Sequence, residues 1–213
     1  IMLQEAKDSS EIENIITTHD ELYQAIASKG ENKIAVKEVL NYRTALFKGM
    51  ELIKSKGFLS TNMIIEIQQE IEGNRAGIRK LPGTTLANDK TGEIMYTPPD
   101  NETTIRNLLK NMEEFVNTDN DEIDPLVKLA MAHYQFEAIH PFYDGNGRTG
   151  RIINVLYLVL KDLLNEPFLY LSSYIIQNKS EYYKLLRGVT TTQNWEGWIL
   201  FMLKAVERTA EKT

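Results

Sequence analysis

A chain of 213 residues, 42% of them hydrophobic, holds enough apolar material for one sizeable core, and residues 1–213 read as a single domain. Its 24 basic and 30 acidic residues leave a net charge of −6, so no global basic field is available to hold a nucleic-acid backbone, and a nucleic-acid partner is not expected. The absence of cysteine excludes disulfides, thiolate zinc sites and a thiol nucleophile.

No run approaches the roughly 18 apolar residues that span a bilayer, and the N-terminus lacks the pattern of a secretory leader. No membrane partner is expected, and the cytoplasm is the simplest address. Ile1 before Met2 reads as a piece trimmed from a longer chain.

Within the N-terminal 1–30, Ser10 and Glu13 have the spacing of a capping box, which predicts a helix over about 9–16. From Ile34 the apolar residues Val36, Val39, Leu40, Leu46, Phe47, Met50 and Ile53 recur at helical spacing. The period and its polar caps predict further helices near 61–72, 101–117, 124–138, 148–164, 179–191 and 195–210. Only the stretch after Gly83 breaks it. There Thr84–Ala87 and Glu93–Thr97 flank the polar loop Asn88-Asp89-Lys90-Thr91-Gly92, predicting a hairpin over about 84–97 that Pro98-Pro99 ends. The fold class is all-α with one small β-hairpin.

The chemistry concentrates between two helices. Pro141 stops the helix that carries Leu129, Ala130, Tyr134 and Phe136, which leaves His140 on a loop. Asp144 follows, then Gly145-Asn146-Gly147, then an apolar helix from about Arg148. Glycines before a helix let backbone N–H groups converge into a nest, and the positive end of the helix dipole adds to it, which suits phosphate. Arg148 and Arg151, three apart, offer two guanidinium forks to phosphate oxygens. Asp144 beside that pocket suits Mg²⁺, which favours a few carboxylates together with phosphate oxygens. His140, the one group here with an unperturbed pKa near neutrality, suits a general base. Gly145-x-Gly147-x-x-Gly150 formally matches a dinucleotide fingerprint, but it follows a helix rather than a strand, and that reading is rejected.

Taken singly, each of these residues has an ordinary structural explanation; twelve consecutive positions combining all of them do not. His140-Pro141-Phe142-x-Asp144-Gly145-Asn146-Gly147-Arg148-Thr149-Gly150-Arg151 resembles the motif of the Fic family, and His133–Ile139 resembles its lead-in helix. The resemblance implies a helical core that transfers AMP from ATP, with Mg²⁺, to a hydroxyl of a target protein, this chain itself being one candidate. It implies His140 as base, Asp144 as metal ligand, Gly145 to Gly147 as anion hole and both arginines as phosphate clamps. Phe142 would be a buried anchor of the loop. The hairpin would be a flap whose Ile94, Met95 and Tyr96 offer backbone bonds to an extended target. Tyr182 and Tyr183 match a pair that lines the adenine pocket in relatives, and read equally well as helix core. Gly147 departs from the Doc-type kinases, which carry a bulkier basic residue there. Ser9-x-x-x-Glu13-Asn14 resembles an inhibitory motif, Ser or Thr, then Glu followed by Gly or Asn, whose glutamate pairs with the second motif arginine, here Arg151. Removal of AMP from a target, or a silent nucleotide-binding regulatory module, remain alternative outcomes, and a homodimer is compatible with the sequence.

Overall fold

The computed structural model describes residues 2–27, 33–87, 91–119 and 122–212. Among them lie ten helices and one two-stranded sheet, and the all-α expectation with a hairpin is met. No helix among the described residues is long and apolar enough to cross a membrane.

Helix α1 spans Met2–Ile12, α2 His19–Ala27, and α3 Ile34–Lys56. α3 ends because Gly57 takes the left-handed conformation (φ 74°) and returns its N–H to Ile53 O at 2.8 Å. α4 (Thr61–Glu72) starts on the Ser60 hydroxyl, which accepts from Met63 N. α5 (Glu102–Asn117) starts on the Asn101 side chain, which accepts from Thr104 N at 2.8 Å. α6 (Pro125–Ile139) combines an Asp124 cap with Pro125, whose missing N–H would have had no partner in the first turn. α7 spans Asn146–Leu160, α8 Leu171–Gln177, α9 Lys179–Thr192 and α10 Trp195–Ala210.

α7 is buried along nearly its whole length. A helix apolar on all sides must be surrounded, and α3, α4 and α6 do that. Gly49 of α3 permits a close approach to α7, since a Cβ there would stand 2.5 Å from Leu156 Cδ1. α10 is tied to α6 by Trp198, whose Nε1 donates to Ala130 O at 2.8 Å. The motif at the start of α7 is therefore held from several sides.

The hairpin pairs β1 (Leu86–Ala87) with β2 (Ile94–Tyr96), antiparallel, with a register irregularity between Leu86 and Ala87. It is shorter than the 84–97 expected. Residues 88–90 of its loop, like residues 28–30 of the N-terminal segment, lie outside the described residues. α2 and α8 carry too few buried positions to show in the apolar period: Leu22 alone in α2, and three residues in the seven-residue α8.

The N-terminal expectation needs correction. Ser10 and Glu13 do not open a helix over 9–16; they lie at the end of α1. Asn14 N donates to Glu11 O and Ile15 N to Ser10 O, with Asn14 left-handed at φ 64°. That is a Schellman stop with Asn14 at the position that favours Gly or Asn. Tertiary attraction overrides the local box: the Glu13 carboxylate reaches a distant arginine instead of Ser10's backbone.

Gly49→Val, which forces two methyl groups against Leu156, should lower stability by about 1–3 kcal/mol, read as a shift in the thermal or denaturant midpoint.

Candidate active site

The α6–α7 loop is built by a small set of bonds. His140 closes α6 in the left-handed region, φ 47°, its N–H on Phe136 O at 3.0 Å. Asn146 then folds the loop onto itself: its Oδ1 accepts from Phe142 N at 2.9 Å and its Nδ2 donates to Phe142 O at 2.8 Å. Phe142 is fully buried, beside Phe136. Gly145 has φ 76°, and a Cβ there would lie 2.4 Å from Glu72 Oε1, so both conformation and space require glycine. Thr149 N is the first amide of α7 to find a carbonyl inside the turn, that of Gly145. The N–H groups of Asn146, Gly147 and Arg148 precede it and have no carbonyl four residues back in the helix. Thr149 is buried with its hydroxyl unpartnered, and Gly150 lets α7 approach Phe136 and Glu137 of α6.

A residue that sequence reading missed fixes the other side of this loop. Arg79 is fully buried, its Nε donating to His140 O at 2.7 Å and its Nη2 to Ile139 O and Pro99 O. Its own N–H reaches Pro141 O at 2.9 Å, and Ile78 bridges to Phe142. One guanidinium thus collects the carbonyls at the end of α6 and ties them to the segment after the hairpin. The lone arginine in a loop carried no signal of this.

His140 projects into a cavity of about 1080 Å³, together with Glu13, Gly147, Arg151, Glu137, Lys179 and the hairpin residues Leu86, Met95 and Tyr96. Burial, and then the charge of Arg79, push the His140 imidazole down to about 4, so it is neutral at pH 7. Its Nδ1 is buried without a partner. A neutral imidazole on the wall of a cavity is able to accept a proton.

Arg151 lies 1% exposed. Its Nε donates to Ser9 Oγ at 2.7 Å, and its Nη2 to Ser9 O at 2.9 Å and Glu13 Oε1 at 2.8 Å. Burial would raise the Glu13 carboxyl, but the charge and hydrogen bond of Arg151 bring it below the ordinary value. A Cβ on Gly147 would be 2.2 Å from Glu13 Oε1, so the carboxylate rests directly on the glycine of the nest. Ser9, Glu13 and Arg151 are therefore brought together, with Asn14 shaping the turn that delivers Glu13.

Arg148 differs from the expectation. Its side chain is 3% exposed and does not line the cavity; Nη1 meets Glu38 and Nη2 meets Glu72, both at 2.9 Å. In this arrangement its fork fastens α7 to α3 and α4.

Asp144 is exposed at the mouth of the loop, one carboxylate oxygen accepting from Gly145 N at 2.7 Å. Among the described residues no group of three His, Cys, Asp or Glu side chains could hold a metal ion by itself. The donor set suits an ion that takes one carboxylate and draws its other ligands from phosphate and water, as Mg²⁺ does.

Tyr182 and Tyr183 both line the cavity, yet differ. Tyr182 is buried in an aromatic cluster with Trp198 and Phe201 and shares a 2.9 Å hydrogen bond with His133 Nε2. Asn154 Nδ2 faces the other ring nitrogen, His133 Nδ1, at 3.1 Å. Tyr183 is 44% exposed and presents its ring to the cavity. Over the opening, Tyr96 OH donates to Ala138 O at 2.9 Å and Arg187 contacts Met95 Sδ, which pins β2 across the cavity. Ile94 is 59% exposed, and no third strand occupies the free edge of β2 among the described residues.

Arg79→Ala should strand the carbonyls of Ile139, His140 and Pro99, lowering stability by at least about 2 kcal/mol; a denaturation midpoint measures it. Imidazole resonances of His140 and His133, the latter pushed down to about 3 by burial and Arg151, should stay in their neutral positions in an NMR titration from pH 8 to pH 5.

Residues 58–158 match the family model described as Fic/DOC family, and residues 1–51 the one described as Fic/DOC family N-terminal. The probable protein adenylyltransferase aq_aa38 of Aquifex aeolicus is 38% identical over 83 residues, 39% of this chain and 23% of that protein. The protein adenylyltransferase Fic of Aedes aegypti is 25% identical over 142 residues, 66% of this chain and 28% of that protein. A crystal structure of a Fic family protein from Desulfovibrio desulfuricans superposes with a TM-score of 0.82 at 22% identity, over 99% of this chain and 63% of that one. The matches thus span less than a third of these two curated relatives. The two family models match nearly end to end from residue 1 to residue 158, the structural likeness covers almost every residue, and the chain belongs to the Fic family.

Proposed function

We propose that the chain is a protein adenylyltransferase that moves AMP from ATP to a Ser, Thr or Tyr hydroxyl of a target protein and is held back by its own Glu13. The observation that carries the reading is the position of the Glu13 carboxylate. It lies on Gly147 and Arg151, within the cavity that His140 lines, where a phosphate group would find the same donors.

The reaction balances with these residues. His140 takes the proton of the target hydroxyl, whose oxygen forms a bond to the α-phosphorus of ATP; the bond from that phosphorus to the bridging oxygen breaks and pyrophosphate leaves. The backbone N–H groups of Asn146 and Gly147, at the positive end of α7, supply donors for the phosphate charge. Arg151, freed of Glu13, offers a charge-assisted contact to the polyphosphate. Asp144 would hold Mg²⁺, which supplies neutralisation of the polyphosphate charge. The free edge of β2 at Ile94 to Tyr96 offers backbone groups to an extended target segment. Arg148 supports the nest from behind through Glu38 and Glu72.

A carboxylate and a phosphate cannot both occupy one fork, so Glu13 withholds the seat that aligns ATP. With radiolabelled ATP and mass spectrometry for an AMP adduct, Glu13→Gly should label itself or lysate proteins at least about 10-fold faster than wild type. Adding His140→Ala should reduce labelling by about 10²–10⁴-fold. Equal rates for wild type and Glu13→Gly would remove the brake; labelling that survives His140→Ala would remove the base.

A further inference from the structure

One carboxyl in the cavity has no part in the scheme above. Glu137 lies one turn before His140 on α6, and its Oε1 is buried without a hydrogen-bond partner. It presses on the α7 backbone: a Cβ on Gly150 would be 2.6 Å from this oxygen, and Gly150 directly precedes Arg151. Glu137 and Glu13 line the same cavity as Arg151. Arg151 thus faces two carboxyls, one from α1 that bonds it and one from α6 that does not.

The charges around Glu137 come from every element packed there. The turn after α1 brings Glu13, α7 brings Arg151, α9 brings Tyr182, Lys179 and Arg187, and α6 with its C-terminal cap brings His133 and His140. His133, His140 and Tyr182 are neutral near pH 7. Of the cations that line the cavity, Arg151 is the one that acts on Glu137, and Glu13 is the anion that opposes it.

We propose that Glu137 is the internal counter-ion of Arg151, taking up a proton when an anion seats on that guanidinium and giving it up when the anion leaves. The proposal rests on the reading of Arg151 as a phosphate seat and extends it to a second anion. With Glu13 in place, its repulsion offsets part of the attraction that Arg151 exerts on a second buried carboxylate. Burial, opposed by Arg151 and reinforced by Glu13, accordingly places Glu137 at about 7. With the seat empty, Glu13's repulsion is gone and Arg151 favours the ionised form. A triphosphate that seats there restores the repulsion and the carboxyl is protonated again. Nucleotide binding to the unbraked protein therefore consumes a proton, and by linkage it weakens as pH rises.

The test uses the full chain carrying Glu13→Gly and His140→Ala, which opens the seat and prevents turnover, with Mg-ATP as the probe. Calorimetric titrations at pH 7 in two buffers of different ionisation enthalpy give the protons exchanged per ATP bound. We expect uptake of a substantial fraction of one proton, and an affinity that falls by up to about 10-fold per pH unit between the Glu137 pKa with the seat empty and its higher value with nucleotide seated, and levels off above that. Adding Glu137→Gln, which is permanently neutral and of the same shape, should abolish the uptake. It should leave the Kd unchanged at pH 6 and make it several-fold tighter at pH 8 than in the parent. Tighter binding at one end of the pH range only is not an outcome of a purely structural role. Zero uptake in the parent, or uptake that survives Glu137→Gln, overturns the proposal while nucleotide binding still supports the transferase reading. No Mg-ATP binding at any pH overturns both.

Discussion

The buried guanidinium of Arg151 is the constraint on which the rest of the site depends. Taking such an ion out of water costs several kcal/mol unless its donors find partners and its charge an anion. The chain answers from far away: Ser9 and Glu13, more than 130 residues distant in sequence, supply the acceptors. That need draws the end of α1 onto the start of α7. Further polar contacts hold α1 there, the buried Glu5 carboxylate on Ser172 and Tyr42 and the Lys179 ammonium on Ile12 O at 2.5 Å. On the proposed reading, restraint and ligand affinity share one physical origin. If Glu13 leaves, a buried cation beside a nest of free N–H groups is left seeking an anion, and polyphosphate fits that want.

Arg79 plays the matching part on the far side of the loop. By gathering carbonyls of Ile139, His140 and Pro99 it holds His140 in a left-handed conformation that a non-glycine residue adopts only under constraint. The same positive charge, added to burial, keeps the imidazole free of a proton. Because Pro99 follows the hairpin and Tyr96 is tied to Ala138, strand β2 and the helix end that carries His140 share one set of supports.

The residues from His140 to Arg151 were legible because loop, nest and helix start follow one another locally, and local chemistry writes them into adjacent positions. The long helices were legible for a similar reason, their apolar period being strong. What escaped is set by tertiary contact. Ser10 and Glu13 carry the spacing of a helix start, yet the pull of Arg151 and the left-handed Asn14 make them a helix end. Arg148 was read as a clamp because it stands three residues before Arg151 in the first turn after the glycines. Its partners Glu38 and Glu72 sit on two other helices and have no sequence link to it. Glu137 read as one more residue of the lead-in helix until the fold set it against Gly150.

These placements change what the pH response of such a site reports. His140 sits near 4, so its loss of a proton is complete well below neutrality. Glu137 and Glu5 are both raised to about 7, chiefly by burial. For a carboxyl raised in the folded state, the stability it lends is fully present below the unfolded value near 4.5 and is lost as pH rises through 7. Glu5 docks α1 against α3 and α8, and Glu137 faces the cation that α1 caps. Across neutrality the desolvation cost of ionising Glu5 and Glu137 therefore loosens the packing around α1, although the hydrogen bonds from Ser172 to Glu5 and the Glu13–Arg151 pair themselves favour the ionised carboxylates; His140 does not titrate there. A rise in activity between pH 6 and 8 would then come from the hold of α1 on Arg151, not from titration of His140.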